Sequence, residues 1–383
     1  MRFRSAFTSK WVVIAAILAC QFVAFEVGLR LAGGSEAAPE FQRLFVTDPR
    51  IGHRLRPGVQ TRFRTSEYET TIAVNRQGVR DEEIGPKAPN ERRIVVLGDS
   101  LVMAAQVELN QTFCKLLEAR LNAARPGGAI HYRVINAGVQ GYGPVEKYLF
   151  YRYVARTFDP DLVLIGLYPG NDVTQARASA YRLAGTGAGT GTGTGASTTA
   201  PVGESVGVWA RRIVRRSMVL QVIRLRVLTL LDHFGRAPEV YAPLRAYLQQ
   251  PPPEVDEGLA VVRECVSRIT AVALDQHATT AVLLFPTRFQ VDDNEFRYQQ
   301  KGVAEAGQIL LRDGATERFK TTLADLKLPL LDVLPALRDA SRGGPVYFTG
   351  TAHFTSRGHA AIAEALGAFL DSAGIVPATE GTR

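Results

Sequence analysis

Arg93-Ile94-Val95-Val96-Leu97-Gly98-Asp99-Ser100 is the stretch that decides the fold. Residues 94–97 form a short, uncharged, largely β-branched run, the pattern of a strand buried on both faces of a parallel sheet. The run stops at a Gly-Asp-Ser triplet. A serine at such a strand-to-helix turn is exposed, and its backbone N–H points into the space beyond the sheet. Outward from this point the alternation continues. Residues 111–124 carry Phe113, Leu116, Leu117 and Leu121 at helical spacing. A second strand is predicted over 132–136, a glycine-rich turn over 138–143, a helix over 145–157, and a third strand over 161–167 that runs into Pro169-Gly170-Asn171-Asp172. Further on come a helix at 255–274, a strand at 280–285, a helix at 294–312, a short strand at 328–333, and a closing segment 347–353 before a helix at 356–370. Strands alternating with helices at this spacing predict an α/β domain with a parallel sheet. In such sheets ligands bind beyond the carboxyl ends of the strands, where the candidate motifs fall.

The 383 residues suffice for one large or two ordinary domains, and 46% hydrophobic with 21% charged residues allow a packed core. The net charge is +8. Lys and Arg are scattered and no nucleic-acid motif is present, so no nucleic-acid partner is expected; a surface facing anionic lipid or acidic polysaccharide is the milder reading. Cys20, Cys114 and Cys265 do not make a disulfide framework. The six histidines show no ligand-like cluster apart from His353 and His359, so no metal is expected.

The N-terminus carries Arg2, Arg4 and Lys10, then the apolar run Trp11 to Phe25, interrupted by Glu26 and Arg30 and apolar again at Leu29, Leu31 and Ala32. A helix over 11–32 would be roughly 30 Å long, about the hydrocarbon thickness. The basic flank would stay in the cytoplasm and the remainder be exported. An uncleaved signal anchor is the first expectation; a cleaved signal peptide and a lipoprotein signal ending at Cys20 are the alternatives. The resulting plan has an anchor at 1–34, an extension at 35–92 packed on the core, a core at 93–172 and 256–372, an insertion at 173–255, and a tail at 373–383. Within the insertion, 184–200 is a Gly/Thr-rich segment without apolar content, expected to be a flexible loop. Arg211, Arg212, Arg215, Arg216 and Arg226 then share an arc of about 140° on a predicted helix. The commoner meaning is a solvated face; contact with a membrane surface is the other.

Four pieces carry chemistry. Gly98-Asp99-Ser100 offers a hydroxyl, although Asp and Ser also cap ordinary helices. Asn136-Ala137-Gly138, with Gly141 and Gly143, lets backbone N–H groups approach a ligand. Asn171 has a side-chain amide that can donate to an oxyanion. His353, in Thr351-Ala352-His353-Phe354-Thr355, can take a proton from a hydroxyl. His359 is expected to be structural. Each piece alone reads as an ordinary turn or a structural histidine. In this order, each at a strand end, they fit nucleophile, oxyanion donors and base.

On these residues the chain resembles the SGNH (GDSL-like) hydrolases, over about 93–172 and 280–370. The stretch Val74-Asn75-Arg76-Gln77-Gly78-Val79-Arg80 also looks like that of bacterial membrane-anchored members. The resemblance implies a three-layer α/β/α, flavodoxin-like domain. It puts the nucleophile on Ser100, oxyanion donors on the backbone N–H groups of Ser100 and Gly138 and on the Asn171 side chain, and the general base on His353. No cofactor is implied. There is no G-x-S-x-G elbow, which disfavours the α/β-hydrolase fold. The family usually places an acid two or three residues before its histidine; here those positions are Thr351 and Gly350. A backbone carbonyl, or a distant acid such as Asp332, Asp292 or Asp293, would have to orient the imidazole. The expected function is a serine esterase, membrane-bound and periplasmic, acting on an acyl ester of a polysaccharide or lipid. O-acyl transfer to a cell-envelope polysaccharide and a non-catalytic carbohydrate-binding or scaffold role are the alternatives.

Overall fold

The computed structural model describes residues 20–24, 39–124, 130–184 and 240–375. The expected signal anchor falls almost wholly outside the described residues, and the 184–200 loop and the Arg-rich helix do so but for Ala184. Among the described residues no helix is long and apolar enough to cross a membrane. The chain divides into two compact units; the larger comprises Pro39–Phe63, Glu67–Gly187 and Val240–Arg383, and it contains the site.

Two small sheets open this unit. β1 (Phe45–Asp48) pairs antiparallel with β2 (Gly52–Leu55), and β3 (Gln60–Arg64) lies beside β4 (Glu69–Ala73). The main sheet has five strands: β5 (Glu91–Gly98), β6 (His131–Gly138), β7 (Leu162–Leu167), β8 (Thr279–Leu284) and β9 (Leu330–Asp332). Its spatial order is β6-β5-β7-β8-β9 and every pairing is parallel. This is the flavodoxin-like order, whose direction of winding reverses between β5 and its two neighbours. The register sets Gly98 beside Gly138 and Leu97 beside Ile165, so β5, β6 and β7 end together.

Among the described residues the nine longer or site-bearing helices are α1 (Ser100–Met103), α2 (Phe113–Ala123), α3 (Pro144–Tyr153), α4 (Asp172–Ser179), α5 (Glu254–Leu274), α6 (Asp293–Glu305), α7 (Gly314–Leu323), α8 (Leu334–Ser341) and α9 (Ser356–Ser372). α2, α8 and α9 cover one face of the sheet, and α3, α4 and α5 pack together on the other. Alternation along the strands sorts the core. Ile94, Val96, Leu162, Leu164 and Leu283 meet Leu117, Leu337, Ile362 and Leu366 on one face. Val95, Leu97, Val163 and Ile165 point to the other, and all four are wholly buried. The result is the three-layer α/β/α architecture expected from the sequence. The predicted elements recur with shifted ends. The helix expected over 294–312 stops at Glu305, and the segment 347–353 contributes an isolated bridge, Tyr347 to Phe354, in place of a strand. Cys114 and Cys265 are buried free thiols.

Candidate active site

Ser100 is the first residue of α1, held by the residue before it. Asp99 is the helix N-cap, and its Oδ1 accepts the Leu101 N–H at 2.9 Å. The helix lies so close to the sheet that a Cβ on Gly98 would fall 2.1 Å from Val102 Cγ2. At its other end Ala104 adopts a left-handed conformation, φ 55°, as C-cap. The carbonyls released there are gathered by Arg80, a fully buried guanidinium. It donates to Met103 O at 3.0 Å, to Ala104 O, and to Val107 O at 2.6 Å. Burial lowers its pKa to about 10. Arg80 thus ties the extension to the backbone that presents Ser100.

Asn171 is the N-cap of α4, after β7. The next residue, Asp172, is wholly buried and receives Lys147 Nζ on both carboxylate oxygens, at 2.8 and 2.9 Å, and the Tyr168 N–H at 2.8 Å. Burial raises the Asp172 pKa to about 6, against the opposing pull of Lys147. Burial also raises that of Asp99, which feels the same lysine. One buried ammonium therefore serves the two carboxylates that flank Ser100 and Asn171 in sequence.

His353 sits on the return arm of the loop closed by the Tyr347–Phe354 bridge, with the Phe348 N–H donated to His353 O at 2.9 Å. Burial lowers its pKa to about 4. His359 is buried in α9, where its Nδ1 accepts the Phe113 N–H at 3.3 Å and its ring stacks on Phe113. That fixes its proton on Nε2 and makes it a structural tie between α9 and α2.

Ser100, Asn171 and His353 line one cavity of about 260 Å³. Two strand ends and one loop, with 253 residues between Ser100 and His353, thus deliver a hydroxyl, an amide and an imidazole to a common space. The rest of the lining was not read from the sequence: Leu101, Tyr168, Tyr241, Leu244 and Phe289 supply apolar and aromatic surface, while Thr287, Arg288, Glu295 and Gln299 supply polar groups. Tyr241 and Leu244 come from the end of the expected insertion. A Pro-containing turn-helix over Ala242–Tyr247 gave no periodic signal by which to find them.

Gly138 is not among the lining residues, and its expected role as an oxyanion donor is corrected. Its N–H donates to Asn136 Oδ1 at 3.1 Å. A Cβ there would lie 2.2 Å from Met103 N and 2.6 Å from Val102 C. Gly138 is therefore a close-approach glycine against α1. Asn136 works in the same place: its Nδ2 donates to Val102 O at 2.8 Å.

The three distant acids considered as orienters are engaged elsewhere. Asp332 accepts the Leu334 N–H at 3.0 Å and pairs with Lys320 at 2.9 Å. Asp292 caps α6, and Asp293 pairs with Arg312 at 2.6 Å.

No protein-family model and no curated protein matches the chain. Solved structures do match. One is a lipolytic protein of the G-D-S-L family from Desulfitobacterium hafniense, 10% identical, with a TM-score of 0.36, covering 73% of this chain and 99% of that one. Another is a catalytic mutant of Axe2, an acetylxylan esterase from Geobacillus stearothermophilus, at 12% identity and TM-score 0.37, covering 73% and 94%. A third is TesA, at 15% and 0.39, covering 73% and 99%. At these values the likeness assigns no activity.

Proposed function

We propose that this chain is a serine-dependent carboxylic ester hydrolase. The observation that supports it is the shared cavity of Ser100, Asn171 and His353. In this mechanism Ser100 Oγ attacks the acyl carbonyl carbon while the His353 imidazole takes the hydroxyl proton. The developing oxyanion is met by the Ser100 N–H and the Asn171 side-chain amide. His353 returns the proton to the departing alkoxide, leaving an acyl-serine. Water, giving its proton to His353, then attacks the acyl carbon; the acyl–Oγ bond breaks, His353 passes the proton to Ser100 Oγ, and the acid is freed. The aromatic faces of Tyr168, Tyr241 and Phe289 beside Glu295, Gln299 and Arg288 favour an alcohol portion that carries hydroxyls, as a sugar does.

The test is labelling with a fluorophosphonate and turnover of p-nitrophenyl acetate. Wild type is expected to label and turn over. Ser100→Ala should abolish labelling and lower kcat by about 10⁴-fold or more. Asn171→Ala should lower kcat by about 10²–10³-fold, the effect of losing one oxyanion donor. A folded wild type that neither labels nor turns over esters would end this reading.

The apolar run at 11–32 supports an anchored domain outside the cytoplasmic membrane. Protease added to spheroplasts should digest a C-terminal tag at residue 383. Protection of that tag until the cells are lysed would place the domain on the inner side instead.

A further inference from the structure

The loop that carries His353 is gripped from outside by the N-terminal extension. At its tip, Glu67 accepts two successive backbone N–H groups, one on each carboxylate oxygen: Thr349 on Oε1 and Gly350 on Oε2, both at 2.8 Å. The fit is close, since a Cβ on Gly350 would lie 2.8 Å from Glu67 Oε2. The neighbouring Tyr68 lays its ring on Phe348, with centroids 5.1 Å apart. From the cavity side Arg288 Nη1 donates to Thr349 O at 2.6 Å. Lower on the loop the Tyr347 hydroxyl donates to Pro286 O at 2.6 Å.

These contacts divide the loop into a fixed base and a borrowed tip. The base is secured by the Tyr347–Phe354 bridge and by the Tyr347 hydroxyl. The tip, residues 349–352, is four residues of Thr, Gly and Ala without a large apolar side chain to bury. Such a tip has little of its own to hold one conformation against chain entropy. Hydrogen bonds from N–H groups to a carboxylate are the stronger kind, and two from successive amides fix the peptide between them in orientation. His353 follows three residues after Gly350, and its own N–H approaches Thr351 Oγ1 at 3.4 Å.

We propose that Glu67 is a positioning residue for His353: by chelating the Thr349 and Gly350 amides it sets the loop tip and, through it, the placement of the imidazole in the cavity. The inference rests on His353 acting as the general base. Glu67 is exposed, in the turn between β3 and β4, and is no part of the buried core, so the fold is expected to survive its replacement.

The experiment uses the full chain, Glu67→Ala and Glu67→Gln, with histidine labelled at ¹³Cε1. Two readouts are taken: hydrogen exchange and His353 ring resonances, which need no turnover, and the kinetics of fluorophosphonate labelling and p-nitrophenyl acetate hydrolysis. In Glu67→Ala the amides at 349 and 350 should exchange faster and the His353 resonance should shift or broaden. Labelling rate and kcat should fall about 10- to 100-fold with KM within twofold, the cost of misplacing a catalytic group by about 1 Å. Glu67→Gln, whose amide oxygen replaces one of the two acceptors, should fall between. An unchanged His353 resonance, or a kcat within twofold of wild type, overturns the inference; so does a loss confined to KM. A wild type inert to the probe would defeat the esterase reading instead, while the resonances would still judge Glu67.

Discussion

At the scale of single residues the site is set by desolvation as much as by contact. Burial drives the His353 pKa from 6.5 to about 4. Its neutral, proton-accepting form is then present throughout the range in which an unperturbed histidine would be charging. We predict that kcat/KM stays nearly flat on acidification from pH 7 and declines only as pH 4 is approached; an acid limb at 6.5 or above would refute this. Stability moves the other way. An unfolded histidine binds its proton near 6.5 and the folded one does not until about 4. Acidification across that window therefore favours unfolding, and the profile has to be read on folded protein. Gly138 shows the limit of reading residues singly. Three glycines within 138–143 are visible in the sequence, but which N–H is spent inside the protein depends on the rotamer of Asn136.

At the scale of elements, the ends of β5 and β7 share a foundation. Lys147, on α3, reaches Asp172 at the start of α4 and lies close enough to Asp99 to oppose the rise that burial imposes on its pKa. Lys147→Met would leave two buried carboxylates facing each other without a cation. Removing one partner of a buried pair costs about 3–5 kcal/mol, because the remaining charge is uncompensated. The carboxylates can escape by taking up a proton, so the loss should be greater at pH 8 than at pH 5. Urea unfolding at the two pH values measures this, and equal destabilisation would contradict it. In wild type the same logic gives Asp172 its sign. Its folded pKa, about 6, lies above the ordinary 3.8, so stability falls as pH rises through that interval and is level beyond it. None of this was legible in the sequence. Lys147 lies within a helical pattern, 25 residues from its partner, and a lysine there reads as a solvated face.

At the scale of the molecule, legibility follows the range of the forces involved. The β5 run 94–97 and its companions are local patterns, and they predicted a parallel sheet that the structure contains in the flavodoxin-like order. Ser100 and Asn171 were also legible, because each sits where a local strand pattern ends, whereas His353 was found by its residue type in a segment that the structure makes a loop. The groups that hold them were not. Glu67 grips amides 282 and 283 residues away. Arg80 serves carbonyls 23 to 27 residues on. Such partners leave no periodicity and no spacing, only an arginine or a glutamate among many. The helix expected over 294–312 ended early for a related reason: Ala306-Gly307 turns the chain with Gly307 at φ 69°, and Leu310 then bridges to Leu248.

The Arg80 guanidinium has a further consequence for where this protein begins as a working unit. A version trimmed to start at β5 would keep the sheet, the serine, the asparagine and the histidine. It would nevertheless leave an empty socket behind the nucleophile, with three main-chain oxygens turned toward it and nothing to answer them. The part of the chain that precedes the sheet is, in this respect, inboard of the chemistry rather than an appendage to it, and the smallest piece able to work includes it.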